Sequence, residues 1–124
     1  MSQSHLGSRD ERGAVTAELA LGLPLLGAVT PGLVWLLAVG TAQVRAVDAA
    51  RETARAVARG DAVGEAVDRG VRVAPDGAEV SIGGSGGEVL VTVTAAVPGP
   101  GGMFDLLPPV RVRAEAVTVA EEPP

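Results

Sequence analysis

Gly13-Ala14-Val15-Thr16-Ala17-Glu18, continued by the uncharged run Leu19–Val44, is the stretch whose reading decides the fold. Glu18 is the single charged side chain between Gly13 and Val44, and the 26 residues from Leu19 to Val44 include no Asp, Glu, Lys, Arg or His. At ~1.5 Å of rise per residue a helix of that length reaches ~39 Å, enough to cross a hydrocarbon core of ~30 Å with some tilt. A secretory signal core is shorter, about 7–15 residues. A buried core helix of this length needs a larger protein around it to cover every face. The sequence therefore predicts a leader at residues 1–13 and a transmembrane helix at 14–44.

Two prolines interrupt that helix. Pro24 and Pro31 each remove a backbone donor and are expected to bend or loosen the ladder. Gly22, Gly27, Gly32 and Gly40, with Ala28, offer small faces on which another helix can pack closely, although membrane helices also simply tolerate glycine. Trp35 sits too centrally in the run to read as an interface anchor. Glu18 lies about one turn inside the start of the run, where a charge is costly and usually has a task.

On either side of the run the composition changes. Residues 1–13 are polar, with Arg9-Asp10-Glu11-Arg12 and the sole histidine, His5, and are expected to be disordered. Residues 45–70 form an extramembrane helical segment. Val47, Ala50, Ala54, Val57 and Ala58 recur at helical spacing, while Arg51, Arg55 and Arg59 repeat every four residues on a neighbouring face. That basic row reads either as a solvated face or as a contact for lipid headgroups or an acidic partner. Gly60 is expected to end the helix, with Asp61 capping a second, short one that Gly70 closes.

Residues 71–124 read as a small β-rich module. Val71-Arg72-Val73 and Ala78–Ile82 alternate as short strands about a Pro75-Asp76-Gly77 turn. Glu88–Val97 is the clearest strand, with Val89, Val91, Val93, Ala95 and Val97 on one face, and Val110–Val119 alternates again as the last. Between them Met103, Phe104, Leu106 and Leu107 form an apolar cluster, which either plugs one end of the core or presents a docking patch. The tail Glu121-Glu122-Pro123-Pro124 is expected to fray. The whole reads as α+β: a long transmembrane helix extended by an amphipathic one, then an antiparallel sheet of three to four strands.

Composition narrows the function. The 80 residues after Val44 contain one aromatic, Phe104, so the core is thin. A net charge of −5 leaves no dominant basic surface and argues against nucleic-acid binding. There are no cysteines, which removes disulfides and thiol chemistry. The lone histidine lies in the leader, so no triad assembles, and no residue cluster suits a metal or cofactor. The glycine-rich segments lack the strand–loop–helix context and the lysine of a phosphate loop. No enzyme is expected.

Glu18 remains as the residue with a specific physical claim. If the chain is cut after Gly13, Ala14 gains an ammonium group and Glu18 becomes the fifth residue of the mature chain. Neither charge is comfortable unpaired in an apolar setting. Pairing Glu18 with the new N-terminus of a neighbouring copy neutralises both and fixes the register between packed helices. Snorkelling of the carboxylate to the headgroups is the alternative.

The segment Gly13-Ala14-Val15-Thr16-Ala17-Glu18 and its apolar helix resembles the cleavage region of type IV prepilins. Arg12–Glu18 with Leu23-Pro24-Leu25-Leu26, followed by the Ala/Arg helix Val47–Gly60, more narrowly resembles the TadE-like minor pilins of tight-adherence (Flp) pili. The resemblance implies cleavage between Gly13 and Ala14 by a membrane prepilin peptidase, with Glu18 guiding assembly. It implies other pilins or pseudopilins, the pilus assembly machinery and membrane lipid as partners, in a pilus or a related secretion filament. Ala14 stands where many type IV pilins have Phe, and Leu19 where the major Flp pilins have Tyr. The first tells against N-methylation; the second, with a module larger than theirs, favours a minor pilin or pseudopilin. The resemblance also places the C-terminal module outside the cytoplasmic membrane, whereas counting Arg9 and Arg12 against Arg45, Arg51, Arg55 and Arg59 puts it inside. The competing reading is an uncleaved, signal-anchored envelope protein that binds a partner through Phe104 and its neighbours. A secreted domain cut near Ala42 is a third.

Overall fold

The computed structural model describes the backbone of residues 2–120 and the side chains of residues 9–120. In chain order it holds α1 (Ser2–Ala58), α2 (Val63–Val73), β1 (Glu79–Gly83), β2 (Glu88–Val97), a 3-10 turn (Gly102–Leu106) and β3 (Val110–Val119). The three strands form one antiparallel sheet in the order β1-β2-β3. The fold class is α+β, as the patterning predicts. The predicted tail fray at Glu121–Pro124 lies outside the described residues.

The chain divides into two compact units, Met1–Val34 and Trp35–Pro124. The first is the N-terminal part of α1, and it contradicts the expectation of a disordered leader, since the helix is already formed at Ser2. Helix propagation supplies the reason. Once the apolar run has nucleated, each further residue adds a hydrogen bond at little cost. Gln3, Leu6, Arg9, Glu11 and Arg12 are good helix formers, and only Gly7 and Gly13 oppose them. Pro24 and Pro31 lie within the helix and neither ends it.

The second unit begins at Trp35, nine residues before the expected end of the transmembrane helix, and its core explains why. Ala42, Ala46, Ala49, Ala50 and Ala54 are buried on one stripe of α1 and cluster with Val91, Val93, Ala95, Val112 and Ala114 of the sheet, with Val39 packed at the margin. Alanine at these i, i+3 and i+4 positions lets the helix lie close to the sheet. Facing valines then fill a core whose largest fully buried side chains, among the described residues, are Val91, Val93 and Thr53. The register sets the faces: Val91 pairs with Ile82 on one side and Ala116 on the other, Val93 with Val80 and Ala114.

Gly60 does end α1. It adopts φ +87°, while its N–H bonds the Val57 carbonyl at 3.0 Å and the Asp61 N–H bonds that of Ala56 at 3.1 Å, the paired bonds of a Schellman terminus. Asp61 does not cap α2. The cap position is Ala62, without a side-chain bond, and the Asp61 carboxylate instead faces Arg59 at 3.3 Å and Arg69 at 3.8 Å.

The strand expected at Val71-Arg72-Val73 is a further correction, because these residues are the last turn of α2. Gly70 does not close the helix. It is buried, and a Cβ there would collide with the Thr53 hydroxyl and stand 3.3 Å from the Ala49 carbonyl oxygen. Glycine is present for close approach of α2 to α1, and helix geometry continues through it until Pro75 stops the ladder. Arg45 secures this end: its Nε donates to the Val73 carbonyl at 3.3 Å and its Nη2 to that of Ala74 at 2.8 Å. A guanidinium on the terminal carbonyls satisfies acceptors that the helix leaves open and opposes the negative end of its dipole.

Candidate functional site

The residues singled out in the sequence fall into three groups, and each has its own setting. Gly13, Ala14 and Glu18 stand on the exposed surface of the first unit. A side chain at Gly13 would meet nothing within 4 Å, so no packing demands glycine there. Glu18 makes no ion pair among the described residues. Around and beyond it Val15, Leu19, Leu21, Leu23, Leu25, Leu26, Val29, Leu33 and Val34 are all exposed. Pro24 is exposed and Pro31 half-buried. Near the N-terminus, then, one helix is long and apolar enough to cross a membrane, and none of that apolar stretch is covered by the protein.

The arginine row forms the second group. Arg51 and Arg55 are exposed on α1, and Arg59 is exposed in the turn that follows it. Arg55 pairs with Glu52 at 2.9 Å and Arg59 with Asp61 at 3.3 Å. Arg51 and Arg55 border an open cleft of about 300 Å³ with Ala54, Ala58 and the β3 residues Ala116, Val117 and Thr118. Ion pairs this exposed contribute ~0–1 kcal/mol. The row can meet an anion, and nothing in its packing requires one.

Phe104 anchors the third group. It is half-buried in the 3-10 turn and meets the indole of Trp35 edge-on, with centroids 5.8 Å apart and an interplanar angle of 78°. Trp35 Nε1 donates to the Val97 carbonyl at 3.1 Å, at the end of β2. Phe104 thus packs on Trp35 next to Val97, a residue at the margin of the core, while Met103, Leu106 and Leu107 remain exposed beside it. Gly99 is close under this turn; a Cβ on it would come within 2.8 Å of the Phe104 carbonyl oxygen.

Sequence reasoning missed Trp35, reading its central place in an apolar run as unremarkable. The available signal was pairing by elimination: the chain has one Trp and one Phe, and a thin core brings its two large rings together. It also missed Arg45, counted as a flanking charge although it caps α2, and Gln43, whose Nε2 donates to the Arg113 carbonyl at 3.0 Å. Both come from residues that the uncharged run and its margin had assigned to a membrane boundary.

Compared with protein-family models, curated proteins and solved structures, the chain matches none of them.

Proposed function

We propose that this chain is a membrane-anchored minor pilin or pseudopilin of the TadE-like kind, non-enzymatic, and cut after Gly13 by a prepilin peptidase. It takes part in assembling a tight-adherence pilus or a related secretion filament, with the Trp35–Pro124 module on the extracytoplasmic side. Once the leader is gone, Ala14 carries an ammonium one turn from Glu18. Glu18 pairs with the N-terminus of a neighbouring copy and sets the axial register of packed anchors, while Pro24 and Pro31 loosen each helix within the bundle. Other pilins, the assembly machinery and membrane lipid are its partners.

A single observation carries this reading: the large aliphatic side chains from Val15 to Val34 all face outward on a stretch of helix whose only charge between Arg12 and Arg45 is Glu18. Such a surface needs a hydrocarbon environment or other copies of itself.

Mass spectrometry of the chain from cells with an active prepilin peptidase should find a mature N-terminus at Ala14, and Gly13→Val should leave the leader in place. Glu18→Gln should be processed normally and lose filament incorporation. A functional chain that retains residues 1–13 would falsify this reading. The continuous helix from Ser2 through the Gly13–Ala14 bond is also what an uncut signal anchor has. That second reading expects Glu18→Gln to behave as wild type.

A further inference from the structure

The end of the module around Trp35 carries an apolar collar that its own fold does not use. Trp35 and Phe104 meet there, and Met103, Leu106 and Leu107 stand exposed beside Phe104 on the turn between β2 and β3, with Leu36 and Leu37 exposed next along α1. Leu37 is 72% exposed and Leu106 88%, although both are large aliphatics. From Pro98 to Val110 the only charge is Asp105. Contiguous exposed apolar groups of this kind mark a surface that meets something other than water.

We infer that this collar is a membrane-surface contact: the turn Gly102–Leu107 lies in the headgroup region of the leaflet that the anchor enters, with Trp35 at the interface. The inference rests on the membrane-anchored part of the proposed function and on none of its pilus-specific content. Chain continuity is the first argument. Val34 is the last residue of the first unit and Trp35 the first of the folded module, so hydrocarbon-compatible chain arrives at this end of the module. Length is the second. The 22 residues from Ala14 to Trp35 give ~33 Å of helix, matching a hydrocarbon core of ~30 Å. The full run to Val44 would overshoot, and Ala42, buried in the core, is not available to lipid.

Side-chain chemistry is the third. An indole with its N–H on the Val97 carbonyl and its ring against Phe104 has the amphipathic character of residues that sit at headgroup level. Asp105 is exposed in the same turn and limits it to interfacial depth, while Met103, Leu106 and Leu107 dip ~5–10 Å into the headgroup–acyl boundary. The contact sets the turn end of the module on the leaflet and leaves the hairpin Gly83–Glu88, at the other end of β2, away from it. One β-strand of ten residues, β2, separates the two ends, a span of ~30 Å.

The chain has no cysteine, so single-cysteine variants report without background. Leu106→Cys and Ser85→Cys in the full chain, each labelled with an environment-sensitive fluorophore, are reconstituted in phosphatidylcholine vesicles with or without brominated acyl chains. The inference expects the label at position 106 to emit to the blue and lose most of its intensity to bromolipid, and the label at position 85 to be indifferent to it. Trp35, the only tryptophan, should be quenched by bromolipid in both variants. If the chain floats with the vesicles and Trp35 is quenched but the label at 106 stays aqueous, the anchor stands and the inference falls, leaving the collar for a protein. If the chain does not float with vesicles at all, the anchoring reading falls and takes the inference with it.

Discussion

The helix α1 is built to two different rules along its length. From Val15 to Val34 its outward positions are leucine and valine, and no protein covers them; from Ala42 to Ala54 its buried positions are alanine, apart from Thr53. Large side chains stand where the protein offers no packing partner, and small ones where a sheet lies against the helix. In the module, close approach replaces bulk as the source of cohesion, because dispersion contacts depend on interatomic distance as well as on side-chain size. Hydropathy alone cannot tell these halves apart, since alanine and leucine both read as apolar. Size does.

That contrast makes its largest prediction at the centre of β2. Val91 is fully buried between β1 and β3, so Val91→Ala removes two methyl groups from a core with no spare bulk. The full chain in detergent micelles, unfolded by denaturant and followed by Trp35 emission, should lose about 2–3 kcal/mol of module stability. Leu25→Ala removes more carbon from an exposed position of the anchor and should change the same transition by less than about 0.5 kcal/mol. Equal costs would show that the two units do not differ as described.

Much of this was legible in the sequence, and the failures share a cause. The alternation in Glu88–Val97 and Val110–Val119 stands out because Val91, Val93, Ala95, Val112 and Ala114 of one face are buried in the core with α1 while the residues between them are not. Gly60 announced a helix end because its positive φ is a local, backbone-level requirement. Gly70 looked the same in sequence, yet it serves a contact made with Thr53, seventeen positions away, which no local pattern reports. Val71-Arg72-Val73 alternates like a strand but is only three residues long, and the helix behind it prevails. Trp35 and Gln43 were hidden inside an uncharged run whose outer limit follows from tertiary packing rather than from composition. Of the candidate sites, the apolar cluster around Phe104 was visible without its Trp35 partner, and the arginine row as periodicity without the Asp61 partner of Arg59.

The next effect tests close approach directly. Gly70→Ala forces a methyl group into the Thr53 hydroxyl and should destabilise the module by about 1–2 kcal/mol in the same denaturant assay. Thr53 also sharpens the comparison, because its Oγ1 is buried without a hydrogen-bond partner. Thr53→Ala opens room opposite residue 70, so the double variant Gly70→Ala with Thr53→Ala should be more stable than the sum of the single effects predicts. A coupling of about 0.5–1 kcal/mol is expected for side chains in direct contact. Simple additivity would mean that α2 moves away from α1 as a whole, and that glycine is not what sets their separation.

The smallest effect lies at the junction of the two rules. Trp35→Phe keeps an aromatic ring for Phe104 to meet but deletes the indole donor to the Val97 carbonyl. The carbonyl sits at a strand end, where water can replace the indole, so the loss should be about 1 kcal/mol or less. Because the bond ties α1 to the last residue of β2, the effect should be local. Backbone amides of the 3-10 turn Gly102–Leu106 should exchange faster with solvent, while those of β2 around Val91 keep their protection. Circular dichroism would follow the stability change, since the variant has no tryptophan left to report it. Faster exchange across the whole sheet would instead make Trp35 a core residue like Val91, and the boundary between the two halves of α1 would lie farther toward the N-terminus than Trp35.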